Sequence, residues 1–302
     1  MFNVNNGPSV TTATSWGGGW VDVGVASNIH SITTTRINGS DTLPANECMV
    51  YAYEIDGKML LDTGVSAPTN IPSIAASACS VGTKQGFSIV QYTGVDNGTA
   101  ATVPHGLTQK PDFMLVKGMT DGSRPWIIYH SALGATKYFQ FDNTNAGTNS
   151  GPWNDTEPTS THFTLGTSYN NVNVSGGKSY ISYHWHNVPG FQKFGKYSGN
   201  SSNNGSFVEL GFRPAIVIIR LVGNDSWRIY DNKRGPINPN DVRLLPNSNV
   251  AENNSIGIDF LSNGFKLRDT DGAGNATGST YVYAAWAEAP EYNLFGAFAN
   301  AR

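Results

Sequence analysis

Residues 110–117 read KPDFMLVK, and residues 213–220 read RPAIVIIR. Both stretches begin with a basic residue and a proline, continue with a run of mostly apolar residues, and end on a second basic residue. Short apolar runs of this kind, bounded by turn-forming residues, are typical of buried β-strands. The two stretches therefore predict the same strand in two copies of one domain.

Further matched segments follow in the same order in both halves of the chain. They are YTG at 92–94 and YSG at 197–199, WIIY at 126–129 and WRIY at 227–230, FTL at 163–165 and FKL at 265–267, and YISYHW at 180–185 and YVYAAW at 281–286. The tryptophans that open the second pair are 227 − 126 = 101 residues apart. A period this long indicates a duplicated domain and not a solenoid repeat.

The pattern predicts an all-β protein with tandem duplicated β-sandwich domains, preceded by a small β-rich segment. We place the two sandwiches at 84–190 and 191–292. Residues 1–66 form an N-terminal β-rich assembly or attachment segment, in which strands flank a turn at Asp56 and Gly57. Residues 67–83 are rich in Pro, Ser and Ala and are predicted to be a linker, and residues 293–302 form a C-terminal tail.

The composition limits the classes of function. Charged residues make up 14% of the 302 residues and the formal net charge is −3, so no basic field is available for nucleic acid. No apolar run approaches the roughly 20 residues of a membrane-spanning helix, and no signal peptide is recognisable at the start of the sequence. Cys48 and Cys79 are too few for a disulfide framework and are predicted to be buried or idle thiols, which suits a reducing cytoplasm.

Two glycine-containing motifs resemble ligand-binding loops. Residues 176–179 read GGKS, but a phosphate-binding loop needs an earlier glycine where Val172 stands, and a helix must follow it. Residues 269–275 read DTDGAGN, but a calcium loop needs oxygen ligands where Ala273 and Thr280 stand. Turns are the preferred interpretation of both motifs.

His184 and His186 lie two residues apart, so a strand places both imidazoles on one face. They are weak candidates for a metal site, because a threefold fibre would bring six such nitrogens together. The second repeat has alanine at the matching positions, which argues against a general need for metal. We predict no metal and no cofactor, with Trp185 and Trp286 sharing the core face of their strands.

No catalytic motif is recognisable, and no enzymatic activity is predicted. Sequence alone cannot place two carboxylates across a cleft, and the acidic candidates are Asp155, Glu157, Glu209, Asp225 and Asp231. Aromatic residues that could stack on a sugar are Trp16, Trp20, Trp126, Trp153 and Trp227. Core packing is favoured for the two tryptophans that occur in both repeats. The loop residue Trp153 is therefore predicted to be the freest to contact a glycan.

Several longer motifs resemble a tandem domain found in predicted tail-fibre and other virion proteins of tailed bacteriophages, many of them marine or cyanobacterial. They are GFSIV at 86–90, VPHGL at 103–107, HSALGATKY at 130–138 and SNGFKLR at 262–268. The resemblance covers about residues 54 to 290 and is specific as a family marker.

The resemblance implies a structural protein of a tailed-phage virion, assembled in the host cytoplasm and tail-fibre or tail-associated. Its expected partners are other virion proteins and further copies of itself, with a trimer favoured by family analogy. Contact with a host-surface glycan stays open. The alternatives are a capsid decoration protein and, from another class, a glycan-binding module or a glycan hydrolase with two carboxylates roughly 5–10 Å apart.

Overall fold

The computed structural model describes four short strands within the first 71 residues and most of residues 72–288. In the latter range the positions outside the described residues are 96–97, 121–123, 145, 148–150, 168–170, 253 and 255–256. The chain divides into two compact units, residues 1–71 and residues 72–302.

The described residues of the first unit form two antiparallel strand pairs. Strand β1 (Phe2–Val4) pairs with β2 (Ile32–Thr34), and β3 (Ala52–Ile55) pairs with β4 (Lys58–Leu61). The strands of the predicted hairpin are confirmed by the second pair, whereas its turn lies outside the described residues.

In the first repeat, the residues that the structure describes form nine antiparallel strands. In chain order they are β5 (Ala78–Gly82), β6 (Phe87–Thr93), β7 (Ala101–Pro104), β8 (Phe113–Gly118), β9 (Ile127–His130), β10 (Tyr138–Gln140), β11 (Ala146–Gly147), β12 (His162–Leu165) and β13 (Ser179–Trp185). The main sheet has the order β11-β10-β9-β8-β13-β6-β5, and β12 pairs with β7 in a smaller sheet.

The described part of the second repeat contains seven strands and one short helix. They are β14 (Gln192–Ser198), β15 (Phe207–Glu209), β16 (Pro214–Leu221), β17 (Arg228–Asp231), β18 (Ile258–Leu261), β19 (Gly264–Leu267), α1 (Gly272–Asn275) and β20 (Thr280–Ala287). The main sheet has the order β14-β20-β16-β17, and β15-β19-β18 is the smaller sheet. Within the described part of the chain, no helix has the length and apolar character needed to cross a membrane.

The two repeats share one strand order. In the first repeat β6-β13-β8-β9 run side by side, and in the second repeat β14-β20-β16-β17 take the same places. The smaller sheets correspond as well, because β7-β12 in one matches β15-β19 in the other. The all-β, sandwich-like prediction is confirmed. The exact domain limits at 84–190 and 191–292 stay a prediction, because both repeats belong to one compact unit.

Three apolar cores account for this arrangement. One fills the first sandwich and includes Tyr92, Trp153 and Phe163, and a second fills the other sandwich and includes Tyr281 and Phe265. The third lies between the main sheets of the two repeats and is made by residues of both, namely Phe113, Ile128, Phe139, Phe194, Ile218, Trp227, Val282 and Ala284. Each main sheet is therefore covered on both of its faces.

Arg220 on β16 joins the repeats by polar contacts. Its guanidinium is buried and donates hydrogen bonds to the carbonyl oxygens of Gln140 (2.8 Å) and Thr144 (2.7 Å) in the first repeat. It also lies over the rings of Phe139 and Trp227, with 4.6 and 5.1 Å from its central carbon to the ring centroids. Burial lowers the pKa of this guanidinium to about 10, so the charge is retained at neutral pH.

The predicted linker at 67–83 is corrected in part. Residues 78–82 form β5, which pairs along its whole length with residues 87–91 of β6 at the edge of the main sheet. Backbone hydrogen bonds hold this edge strand and its side chains are mostly exposed, so its composition does not need to be apolar. Cys79 on β5 is exposed and forms no disulfide, while Cys48 lies outside the described residues.

The two repeated tryptophans are not equally buried, contrary to the expectation. Trp227 is 1% exposed in the core between the repeats, whereas Trp126 is only half-buried. Both precede equivalent strands, β17 and β9, but the core between the repeats includes Trp227 and not Trp126. The same local sequence therefore ends in two different environments.

Candidate functional site

Trp153 does not present its ring to a ligand, contrary to the prediction. It is 1% exposed, belongs to the core of the first sandwich, and meets Tyr129 edge-to-face with 6.0 Å between ring centroids. The following residues, Asn154 and Asp155, have positive φ values of 52° and 51°, which folds the loop back over the sandwich. Trp153 is therefore a core residue.

His184 and His186 face inward, and Trp185 faces the other repeat. Trp185 and Trp286 share a core face, as predicted, but this face meets the core between the repeats and not the interior of either sandwich. The centroids of the two rings are 6.1 Å apart. The physical reason is that the main sheet is buried on both faces, so either face can take the larger ring.

The hydrogen bonds of the two histidines define their tautomers. Ser88 Oγ donates to the His105 carbonyl oxygen (2.5 Å), so the N–H at His184 Nδ1 donates to Ser88 Oγ (3.2 Å). The N–H at His186 Nδ1 donates to the Asn187 carbonyl oxygen (2.8 Å). Both Nε2 atoms are then buried lone pairs without a hydrogen-bond partner.

These lone pairs do not make a metal centre by themselves. Burial, with a contribution from nearby His105, holds the pKa of His184 well below its usual value, so the ring stays neutral. In the part of the chain that the structure describes, no group of three or more His, Cys, Asp or Glu side chains could hold a metal ion. The pair offers two nitrogen ligands and no third.

The acidic candidates are engaged in separate local contacts. Glu157 accepts hydrogen bonds from the Tyr129 hydroxyl and from the Ala135 amide, 2.7 Å away in the latter case. Asp225 pairs with Arg228 (3.2 Å), and Asp231 pairs with Arg234 (2.7 Å). Asp155 and Glu209 are exposed. Glu157, Asp225 and Asp231 are thus engaged in local contacts. Among the described residues, no hydrogen bond or ion pair joins any two of the five carboxylates.

The two glycine-containing motifs form turns and a cap. Gly176 and Gly177 have positive φ values of 83° and 74° in the turn that leads into β13. Asp271 caps α1 by accepting a hydrogen bond from the Ala273 amide (2.7 Å). Burial raises the pKa of the neighbouring Asp269 to about 6, against the opposing hydrogen bond from the Asp271 amide. Each of these two carboxylates thus accepts a backbone hydrogen bond within the loop.

A cleft lies at the boundary between the repeats. Its volume is about 310 Å³ and it is open to solvent on one side. The first repeat contributes four lining residues and the second contributes one. They are Leu115, Trp126, Phe141, Asp142 and Pro246. Two half-buried aromatic rings and one exposed carboxylate therefore face a small open volume.

The two aromatic residues of this cleft, Trp126 and Phe141, contact each other through the backbone and other aromatic rings through their side chains. The Phe141 amide donates a hydrogen bond to the Trp126 carbonyl oxygen (3.0 Å), which fixes the spacing of the two residues. The Phe141 ring contacts Trp227 (5.4 Å between centroids), and the Trp126 ring contacts Tyr183 (6.0 Å). Lys117 Nζ lies 5.8 Å from the centroid of the Trp126 ring. The walls are therefore preorganised.

From the sequence, Trp126 is one of the residues that could stack on a sugar, but core packing is favoured for it because a tryptophan occurs at this position in both repeats. The cleft itself was not predicted, because Pro246 comes from a loop of the other repeat and no local pattern brings it beside Trp126. The available signal was the duplication, since one of two matched tryptophans is free to take another role.

A family model described as a domain of unknown function (DUF7483) matches residues 62–290. No curated protein and no solved structure matches the chain. The match spans the whole of the described double sandwich, including the cleft, and begins just before it.

Proposed function

The chain belongs to the DUF7483 family, and on that premise we propose that it is a non-enzymatic structural protein of a tailed-phage virion. A tail-fibre or tail-associated position is preferred, with other virion proteins as partners. The proposal is supported by the motifs at 86–90, 103–107, 130–138 and 262–268, which resemble virion tandem domains. All four lie inside the matched range.

The observation that carries this proposal is the way in which the repeats are joined. The main sheets pack face to face through the third apolar core, and Arg220 and Trp227 add hydrogen bonds to the Gln140 carbonyl oxygen, each 2.8 Å long. An interface that is apolar inside and fixed by buried polar contacts resembles a domain core more than a mobile domain contact. Such a unit suits a load-bearing element of a particle.

Residues 1–71 are proposed as the assembly element, with three chains in the closed complex. Within the described residues this unit contains two separate two-stranded pairs, β1–β2 and β3–β4. A two-stranded pair alone is marginally stable in water, and its open edges can add strands from another chain. Association of protomers through this unit would stabilise the strand pairs and would also cover their open edges.

Removal of residues 1–71 is expected to convert an oligomer into a folded monomer. The cut is placed before Pro72 because Ile74 is buried in the first sandwich and Ser73 exchanges 2.8 Å hydrogen bonds with Thr102. Light scattering coupled to size-exclusion chromatography would compare the truncated and full-length chains, with circular dichroism to confirm the strand content. A full-length chain that is monomeric would refute the assembly role.

The virion assignment is tested on purified particles of the phage whose genome encodes the chain. We expect its peptides in mass spectra of particles that have been freed of host proteins by density-gradient centrifugation, and antibody labelling at the tail. Labelling over the capsid would favour a decoration protein instead. A chain that is absent from the particles, or encoded outside any phage or prophage, would contradict the proposal.

A further inference from the structure

We propose that the cleft formed by Leu115, Trp126, Phe141, Asp142 and Pro246 binds a neutral glycan, with one or two pyranose rings inside it. The inference rests on the proposed function only for the source of the glycan, which would be a host-surface polysaccharide. The binding chemistry stands on the cleft itself.

The aromatic walls supply the first half of the recognition. A pyranose ring presents a face of C–H groups, which packs favourably on the electron-rich face of an indole or phenyl ring. Trp126 and Phe141 are both half-buried, line the same cleft, and are linked by a backbone hydrogen bond of 3.0 Å. Because Tyr183 and Trp227 contact these rings from behind, little conformational entropy is lost when a sugar stacks on them.

The Asp142 carboxylate supplies the polar part of the recognition. Asp142 is exposed and lines the same cleft as the two aromatic rings, so its carboxylate is available to the hydroxyl groups of a sugar stacked there. A carboxylate accepts hydrogen bonds from two neighbouring hydroxyls and repels an anionic ligand. Lys117, whose ammonium lies near the Trp126 ring, donates a hydrogen bond to the Arg124 carbonyl oxygen and does not line the cleft. The charge that lines the cleft is therefore negative, which favours a neutral glycan over a uronate, a sialoside or a sulfated sugar.

The size of the cleft selects against other classes of ligand. Its volume of about 310 Å³ is at the lower end of the roughly 300–1,000 Å³ of small-molecule sites. A protein partner would need about 800 Å² of contact on this chain, far more than five residues supply. A nucleic acid would need a basic surface, whereas the chain has a formal net charge of −3.

The cleft favours binding without cleavage. Hydrolysis of a glycosidic bond ordinarily uses two carboxyl groups across the scissile bond. Of the described residues that line the cleft, Asp142 alone carries a carboxyl group. The glycan would therefore be held and released unchanged.

The duplication provides an internal comparison. At the position that matches Trp126, the second repeat has Trp227, which is 1% exposed and donates its indole N–H to the Gln140 carbonyl oxygen. The buried tryptophan thus has a structural task between the repeats. Trp126 lacks that burial and faces the cleft, which leaves its ring available for a ligand.

The test measures binding of the full-length chain to neutral tetrasaccharides of glucose, mannose, galactose and N-acetylglucosamine by saturation-transfer NMR and calorimetry. A uronate tetrasaccharide serves as the acidic comparison. Trp126→Ala is expected to weaken binding of the neutral ligand about tenfold or more, and Asp142→Asn by a few fold. Phe207→Ala, which removes a 46% exposed aromatic ring from the second repeat, is the matched control and should bind as the wild type does.

Three outcomes would overturn the inference: no neutral tetrasaccharide binds, the uronate binds in preference, or Trp126→Ala binds with unchanged affinity while its thermal unfolding matches that of the control. Chromatography of the ligand after incubation should recover it intact. If the wild-type chain cleaves the ligand and Asp142→Asn does not, the cleft is a hydrolytic site and not a binding site. None of these results changes where the chain lies in a particle, so the virion proposal is tested separately.

Discussion

Replacing Trp227 with alanine is expected to lower the free energy of unfolding of the double sandwich by about 3–5 kcal/mol, the usual cost of deleting a large buried aromatic side chain. The ring is 1% exposed and contacts Phe139 and Phe141, each with 5.4 Å between centroids. Its loss also leaves the Arg220 guanidinium without one of its two aromatic faces. Urea unfolding followed by circular dichroism measures the change.

Trp126→Ala is the matched control for this experiment, because it deletes the same side chain from the equivalent position of the first repeat. Since Trp126 is only half-buried, a loss of about 1 kcal/mol is expected. We also expect the Trp227 variant to unfold in two steps, because the core between the repeats couples them. Equal losses for the two variants would contradict the interface described above.

Acidification from neutral pH to about pH 4 is expected to destabilise the double sandwich strongly. Burial lowers the pKa of His105 and of His130 from 6.5 to about 4, despite hydrogen bonds to the carbonyl oxygens of Thr159 and Tyr283 that oppose the shift. Because the unfolded chain takes up these protons first, stability falls as the pH drops below 6.5 and levels off near the folded-state pKa. Each histidine contributes a loss of about 3 kcal/mol. Asp269, whose pKa is raised to about 6, takes up its proton in the folded chain first and offsets part of this loss.

His130→Gln tests the contribution of one of these groups. His130 Nε2 donates to the Tyr283 carbonyl oxygen across the repeats (3.0 Å), so the variant should be less stable at neutral pH but lose about 3 kcal/mol less on acidification. The control is Ile128→Val on the same strand, which has no titratable group and should lower stability equally at every pH. A wild-type pH profile in His130→Gln would show that another group causes the acid loss.

The strand pattern was readable from the sequence because turn residues separate the apolar runs, and because two repeats report the same order. The orientation of β13 was not readable. Its two faces both meet apolar cores, so the alternation of His184 and Trp185 carries no information on which side is the sandwich interior. Large aromatic side chains are suited to either side.

The prediction for the loop residue Trp153 was wrong for a different reason. The loop that holds Trp153 is rich in glycine, proline and asparagine, which favoured an exposed position, yet it closes over the first sandwich and buries the indole. The cleft depends on Pro246 approaching Trp126 from the other repeat. Long-range contacts of this kind follow from how the main sheets pack, and no local pattern encodes them.

A symmetric reconstruction of the phage particle by electron cryomicroscopy tests the central claim most directly. The account predicts density for the double sandwich of residues 72–288 at the tail, in three copies around one axis, with their N-terminal units joined. A particle whose surface and tail proteins are all accounted for by other chains, with no density that accepts this double sandwich, would contradict it.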